Sequence, residues 1–192
     1  RRGRDDEPRL AQAGEEMTQF ADLSSFAEQM LVHEHAIVKI REDMPLDRAA
    51  LIGCGVTTGV GSVFHTAAVE PGSSVAVIGC GGVGLSAING AALAGAGRVI
   101  AVDMMASKLE MAKTFGATDV VDASQSDAVE AVKELTGGGV QYSFEAIGLK
   151  ATAEQAFRML RPGGAATIIG MIPAGVKIEL TGSAFLQEKK IQ

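Results

Sequence analysis

Ser74-Val75-Ala76-Val77-Ile78-Gly79-Cys80-Gly81-Gly82-Val83-Gly84 is the stretch whose reading decides the fold. The apolar run VAVI has the length of a strand buried on both faces. A G-x-G-x-x-G pattern follows at Gly79, Gly81 and Gly84, and small residues from Gly82 to Gly95 read as a helix. In a chain with 24 glycines such a pattern can arise by chance. Its surroundings make it specific: a strand precedes, a helix follows, and Asp103 ends the next strand, 19 residues past Gly84. Strand, glycine loop, helix and acid together form the dinucleotide fingerprint.

Each position has a physical reason. Gly79 permits a tight turn off the strand, Gly81 lets a diphosphate approach the backbone, and Gly84 lets the helix pack closely on the sheet. The helix start offers free N–H groups and about half a positive charge to the diphosphate. Asp103 can accept hydrogen bonds from ribose hydroxyls. Two other readings compete: a glycine turn that only packs a helix, and a methyltransferase loop for adenosylmethionine, which also pairs glycines with an acid. The longer glycine pattern, with the helix starting inside it, favours a dinucleotide.

Beyond this unit, strand and helix alternate. Val99–Asp103, Asp119–Asp122, Val140–Phe144 and Ala166–Gly170 read as strands. Ser107–Phe115, Ala128–Leu135 and Thr152–Leu160 read as helices, closed by Gly116, by Gly137-Gly138-Gly139 and by Pro162-Gly163-Gly164. Parallel strands need such crossovers, so the expected class is α/β, a doubly wound parallel (Rossmann) sheet. Its sixth strand is expected to be cut off where it starts, near Lys189–Gln192, leaving the fifth as a bare edge.

Upstream the signals weaken. Residues 1–22 read as an irregular, mobile lead-in. Phe26–Ile40 reads as two short strands around His33-Glu34-His35. Pro45 sets a turn, Asp47 caps a short helix through Ile52, Gly53-Cys54-Gly55 breaks it, and Thr57 or Thr58 opens another that ends before Pro71. The expected division is therefore a small β-containing remnant and connector over 1–52 and a C-terminally incomplete nucleotide domain over 53–192.

Composition narrows the classes. The 192 residues are 47% hydrophobic and 21% charged, enough to bury a core, with a net charge of −6. No basic excess is available to displace counterions from a nucleic acid, so no nucleic-acid partner is expected. The uncharged run Pro71–Gly97 would suit a membrane span by length, but eight glycines interrupt it, so no membrane partner is expected. Cys54 and Cys80 cannot form a disulfide framework.

The blocks LIGCGVTTGVGSV (51–63), VAVIGCGGVGLSAI (75–88), VIAVDMMASKLEMAKTFGAT (99–118) and GGVQYSFEAIG (138–148) resemble the zinc-dependent medium-chain alcohol dehydrogenases, in family order, from about Phe20 to Gln192. The resemblance implies the NAD-binding portion of an oxidoreductase that transfers hydride between an alcohol or aldehyde and NAD. It implies Zn2+ in the full-length parent, with Cys54 as one ligand, at a helix start that would favour the thiolate, and Thr58 near the nicotinamide. Gly82 and Val83 join the diphosphate contact, Lys108 lies beside the adenosine ribose, and Ile147, Ile169 and Met171 line the cofactor's ends. The other zinc ligands of the family lie in a barrel that this chain does not contain. His33, His35 and His65 are read as solvated, and Cys80 as filling a small site. A formaldehyde–thiol adduct dehydrogenase and a non-catalytic nucleotide-binding module are the alternatives. The parent is expected to be a cytoplasmic homo-oligomer, dimer or tetramer, while this portion alone is expected to be inactive.

Overall fold

The structure, a computed structural model, describes residues 10–17 and 28–192. The chain forms two compact units, Arg1–Pro45 and Leu46–Gln192. In the first, β1 (Leu10–Gln12) and β2 (Glu15–Met17) form an antiparallel hairpin. Ala13 and Gly14, both at positive φ, make its turn, so the expected irregular lead-in holds a hairpin too short to leave a period. Of the two strands expected over Phe26–Ile40, Phe26 lies outside the described residues. Where strand was expected, Glu34–Ala36 instead forms a single 3-10 turn, held by the His35 N–H donating to His33 Nδ1 at 3.1 Å. Met30 and Val38 are 50% and 87% exposed, so among the described residues this pattern packs on no sheet face.

The second unit opens with one continuous helix, α1 (Leu46–Thr66). The break expected at Gly53-Cys54-Gly55 does not occur. Ile52–Val56 and Ser62–Thr66 are wide turns, in which Thr57 N–H reaches back to Ile52 O and Ala67 N–H to Ser62 O. Asp47 lies inside the first helical turn rather than capping it. By length and composition α1 could cross a membrane. Its Gly59, Ser62 and Val63 are nevertheless buried within the α/β domain.

The core is a six-stranded, all-parallel sheet. Its strands are β3 (Ser74–Ile78), β4 (Arg98–Asp103), β5 (Asp119–Asp122), β6 (Val140–Glu145), β7 (Leu160–Ile168) and β8 (Lys190–Ile191). They lie in the order β5-β4-β3-β6-β7-β8. Helices α2 (Gly82–Leu93), α3 (Ala106–Thr114), α4 (Ala128–Thr136) and α5 (Lys150–Arg158) supply the crossovers. Strand β3 shows why both faces are filled. Val75 and Val77 pack with Ala87, Ile88 and Ala91 of α2, whereas Ala76 and Ile78 pack with Val132 of α4 and Phe157 of α5. Each large apolar side chain buried in this way contributes about 1.5–3 kcal/mol.

Two corrections concern the C-terminal edge. The Pro162–Gly164 turn lies inside β7 as a bulge, because Val140 pairs with Leu160 while Tyr142 pairs with Ala165. The fifth strand is not bare. Ala165 and Ala166 pair with Lys190 and Ile191, and Gln192 exchanges backbone hydrogen bonds with Ala166 (2.9 Å) and Ile168 (2.8 Å).

Candidate functional site

In this strand order the switch point lies between β3 and β6, where the sheet's connections reverse direction and ligands bind at the carboxyl ends of the strands. The glycine loop stands there. Gly79 adopts φ +94°, and a Cβ on it would lie 2.5 Å from Ile147 Cγ1 and 3.3 Å from Ala146 O. A Cβ on Gly84 would fall on Gly79 O. These two glycines are therefore required by the turn itself.

Gly81 differs from both. Its backbone is extended (φ −81°, ψ −173°), and a Cβ on it, or on Gly82, would meet nothing within 4 Å. The space above the loop is open. The first intrahelical bond of α2 runs from Leu85 N–H to Gly81 O at 2.8 Å, so the N–H groups of Gly82, Val83 and Gly84 lead the helix. This Cβ-free cradle at the head of a twelve-residue helix fits a diphosphate.

Asp103 closes one side of the cradle. Its Oδ2 accepts the Cys80 N–H at 2.8 Å and its Oδ1 the Met105 N–H at 3.0 Å, so one carboxylate fixes both the loop and the start of α3. Lys108 Nζ stands 4.0 Å from Asp103 Oδ2. Cys80 is buried behind the loop, and its thiol is pushed up to about 12, first by burial and then by the neighbouring Asp103 charge, with Lys108 acting weakly against both. At neutral pH it is a packed thiol.

Ile147 is exposed on the far side of the crevice, and Ile169 is half-buried. Met171 is 82% exposed just beyond β7. A Cβ on Gly148 would lie 2.6 Å from Met171 O, so the loops that follow β6 and β7 are interlocked. On the other side, a Cβ on Gly59 would lie 2.5 Å from Ser86 Cβ and would also strike Val83 O, so α1 lies flush on the glycine loop. Thr58, one residue away, is exposed. A cavity of about 370 Å3 between Leu51, Gly55 and Val56 of α1 and Gly82, Leu85 and Phe115 continues that contact.

Cys54 is exposed in the first wide turn, eight residues into α1. Cys54 therefore lies within a continuous helix and not at the helix start expected for it. Among the described residues no group of three or more His, Cys, Asp or Glu converges. A catalytic zinc commonly takes about three protein ligands. Cys54 alone does not compose such a site. His33 and His35 pack edge-on against each other, with ring centroids 4.8 Å apart, and His65 is exposed.

One residue at the crevice escaped the sequence reading. Glu145, the last residue of β6, is fully buried. An acid that ends an otherwise apolar strand is the same signal that marked Asp103, and it stood in the text VQYSFE.

A doubly wound parallel sheet with a Cβ-free cradle at its switch point and an acid at the end of the neighbouring strand defines a dinucleotide-binding α/β domain. Within that class the chain belongs to the zinc-binding dehydrogenase family, which matches residues 82–192. It is 45% identical over 159 residues to alcohol dehydrogenase-like 5 of Arabidopsis thaliana, covering 81% of this chain and 41% of that protein. It is 40% identical over 173 residues to S-(hydroxymethyl)glutathione dehydrogenase of Synechocystis, covering 88% and 47%. The crystal structure of a zinc-binding alcohol dehydrogenase domain protein from Burkholderia ambifaria superposes with a TM-score of 0.91 at 36% identity, covering 99% of this chain and 52% of that one. A zinc-binding dehydrogenase from Sinorhizobium meliloti, solved with NADP bound, superposes with a TM-score of 0.69 at 34% identity, covering 72% and 42%. The chain thus spans less than half the length of these two curated relatives.

Proposed function

We propose that the chain is the NAD-binding portion of a zinc-type oxidoreductase that moves hydride between a small alcohol or aldehyde and NAD. The open cradle at Gly81 and Gly82, beside Asp103, carries this reading. When bound, the nicotinamide supplies the hydride acceptor or donor. This chain's residues bind and orient. The N–H groups at the head of α2 take the diphosphate, Asp103 and Lys108 the adenosine ribose, and Ile147, Ile169 and Met171 the faces of the cofactor. Thr58, carried on α1, stands toward the nicotinamide. Cys54 would bring one thiolate ligand to a zinc completed by residues outside the described ones. In this reading residues 1–52 are the remnant and connector of a catalytic domain, and 53–192 the nucleotide domain. The parent is a cytoplasmic dimer or tetramer, without a nucleic-acid or membrane partner.

Calorimetric titration with NAD tests the reading. The chain binds NAD, and Gly81→Val abolishes binding while the urea midpoint stays in place. Normal NAD binding by Gly81→Val would move the phosphate site away from this loop. The name of the Synechocystis relative supports a second substrate, a formaldehyde–glutathione adduct. Assaying the full-length product on that adduct and on simple alcohols separates the two. Absence of turnover on either, with NAD still bound, would favour a non-catalytic nucleotide-binding module.

A further inference from the structure

A cavity of about 460 Å3 lies between α4, α5 and the segment that leads into β8. Phe157, Leu180 and Ala184 give it an apolar side, and Lys133, Arg158 and Lys189 also line it. Lys189 is half-buried there, and its backbone is held from both sides. Upstream, the 3-10 helix Gly182–Gln187 ends at Glu188, whose N–H donates to Phe185 O at 3.1 Å. Glu188 turns the chain at φ +58°, a conformation that a residue with a Cβ seldom adopts. Downstream, Lys190 pairs with Ala165 in β8.

A half-buried lysine usually sends its ammonium to water or to a carboxylate. Four carboxylates line this cavity, and each is engaged elsewhere. Glu130 pairs with Lys133 at 3.2 Å, while Glu154 and Glu179 pair with Lys150 at 3.7 and 2.6 Å. Asp127 Oδ1 accepts the Val129 and Glu130 N–H groups at the start of α4. Among the described residues no carboxylate acts on Lys189. Burial first, and then the Lys133 ammonium, push the Lys189 amine below the ordinary lysine range. Desolvation and a neighbouring cation are the two devices that make lysine a nucleophile, because only the neutral amine has a free electron pair.

We infer that Lys189 is a carbonyl-capturing amine, which takes small aldehydes into this cavity as a Schiff base. The amine nitrogen bonds to the carbonyl carbon, and a proton passes from nitrogen to oxygen to give a carbinolamine. The hydroxyl then leaves with the second amine proton as water, and a C=N bond remains. The step needs no oxidant and no cofactor. The apolar side formed by Phe157, Leu180 and Ala184 limits the water that would hydrolyse the product. This inference goes beyond the hydride transfer proposed above and does not depend on it.

The test treats the folded 192-residue chain with acetaldehyde and sodium cyanoborohydride, which reduces an imine to a stable secondary amine. Peptide mass spectrometry then reads each lysine. At pH 8 Lys189 should label about fivefold or more faster than exposed Lys39 and Lys177. Lys133→Gln removes the neighbouring charge, so the lead of Lys189 should fall to about half or less and its pH midpoint should move up. Lys133→Arg keeps the charge and should keep the lead. Lys189→Arg should lose the adduct at this site with its urea midpoint unchanged. Labelling of Lys189 no faster than that of Lys39 and Lys177 would overturn the inference. So would a lead that Lys133→Gln leaves untouched in both rate and pH midpoint, since access alone would then explain it.

Discussion

The backbone of Gly84 passes so close to that of Gly79 that any Cβ on Gly84 would fall on the Gly79 carbonyl oxygen. Two residues with the same place in a sequence pattern, Gly81 and Gly84, therefore have opposite duties. Gly84→Ala must push the helix off the strand, and we expect a loss of about 1–3 kcal/mol of stability, read from urea unfolding. The Gly81 backbone is extended and its surroundings are open, so Gly81→Val should stay within about 0.5 kcal/mol of wild type. A Gly84→Ala variant as stable as the parent would show that the loop is looser than this contact implies.

Cofactor choice should follow Asp103. A 2′-phosphate would set like charges a few ångströms apart, at a cost of about 4 kcal/mol for a unit pair at 4 Å and an effective dielectric near 20. Lys108, 4.0 Å away, offsets part of this, and the next two residues, Met104 and Met105, bring no positive charge. NAD should bind at least about tenfold more tightly than NADP, and Asp103→Ser should narrow the gap. Equal or tighter NADP binding by the wild type would contradict the assignment.

The two thiols should part company in alkylation. Iodoacetamide at pH 8 should label exposed Cys54 and leave Cys80 untouched until urea is added, as read by peptide mass spectrometry. The Cys80 thiol is raised from an ordinary 9.0 to about 12, so the folded chain holds this proton more tightly than the unfolded one. The resulting stabilisation is intact below pH 9 and fades as pH rises toward 12. Cys80→Ala should show a shallower alkaline loss of stability than wild type.

The purified 192-residue chain should bind NAD and still fail to oxidise alcohols when zinc is supplied. One exposed thiolate cannot hold the metal in a defined geometry. Zinc-dependent NADH formation at 340 nm, abolished by a chelator, would refute this.

How much of this was legible beforehand depended on the kind of signal. The β3–α2–β4 unit announced itself because a buried parallel strand, a glycine loop and a terminal acid each leave their own residue type. Helix α1 was misread at Gly53-Cys54-Gly55. Glycine normally breaks a helix, yet here wide turns keep the chain hydrogen-bonded through it, and the Thr57 hydroxyl adds a bond to Ile52 O at 2.5 Å. That tolerance depends on backbone geometry, which no periodicity records. Over residues 28–40 the expected strands failed for the opposite reason: the alternation was present, but among the described residues no sheet face receives it. Glu145 was passed over because a single acid ending an apolar strand becomes meaningful only when the Ile147 and Gly148 N–H groups that its carboxylate accepts are seen beside it.

The pairing of β3 has a consequence for how the domain assembles. Ser74 meets Arg98 across 24 residues, a short closure made through α2, whereas Val75 meets Tyr142 across 67. Long closures lose more chain entropy before contacts compensate, so the β3–β6 seam should form late on the way in and part early on the way out. The cofactor crevice lies on that seam. A dinucleotide bound there bridges the last joint to form, and saturating NAD should lengthen the lifetime of the folded state as well as deepen its stability. The nucleotide would then serve as the clasp that keeps two separately formed halves of one sheet from coming apart.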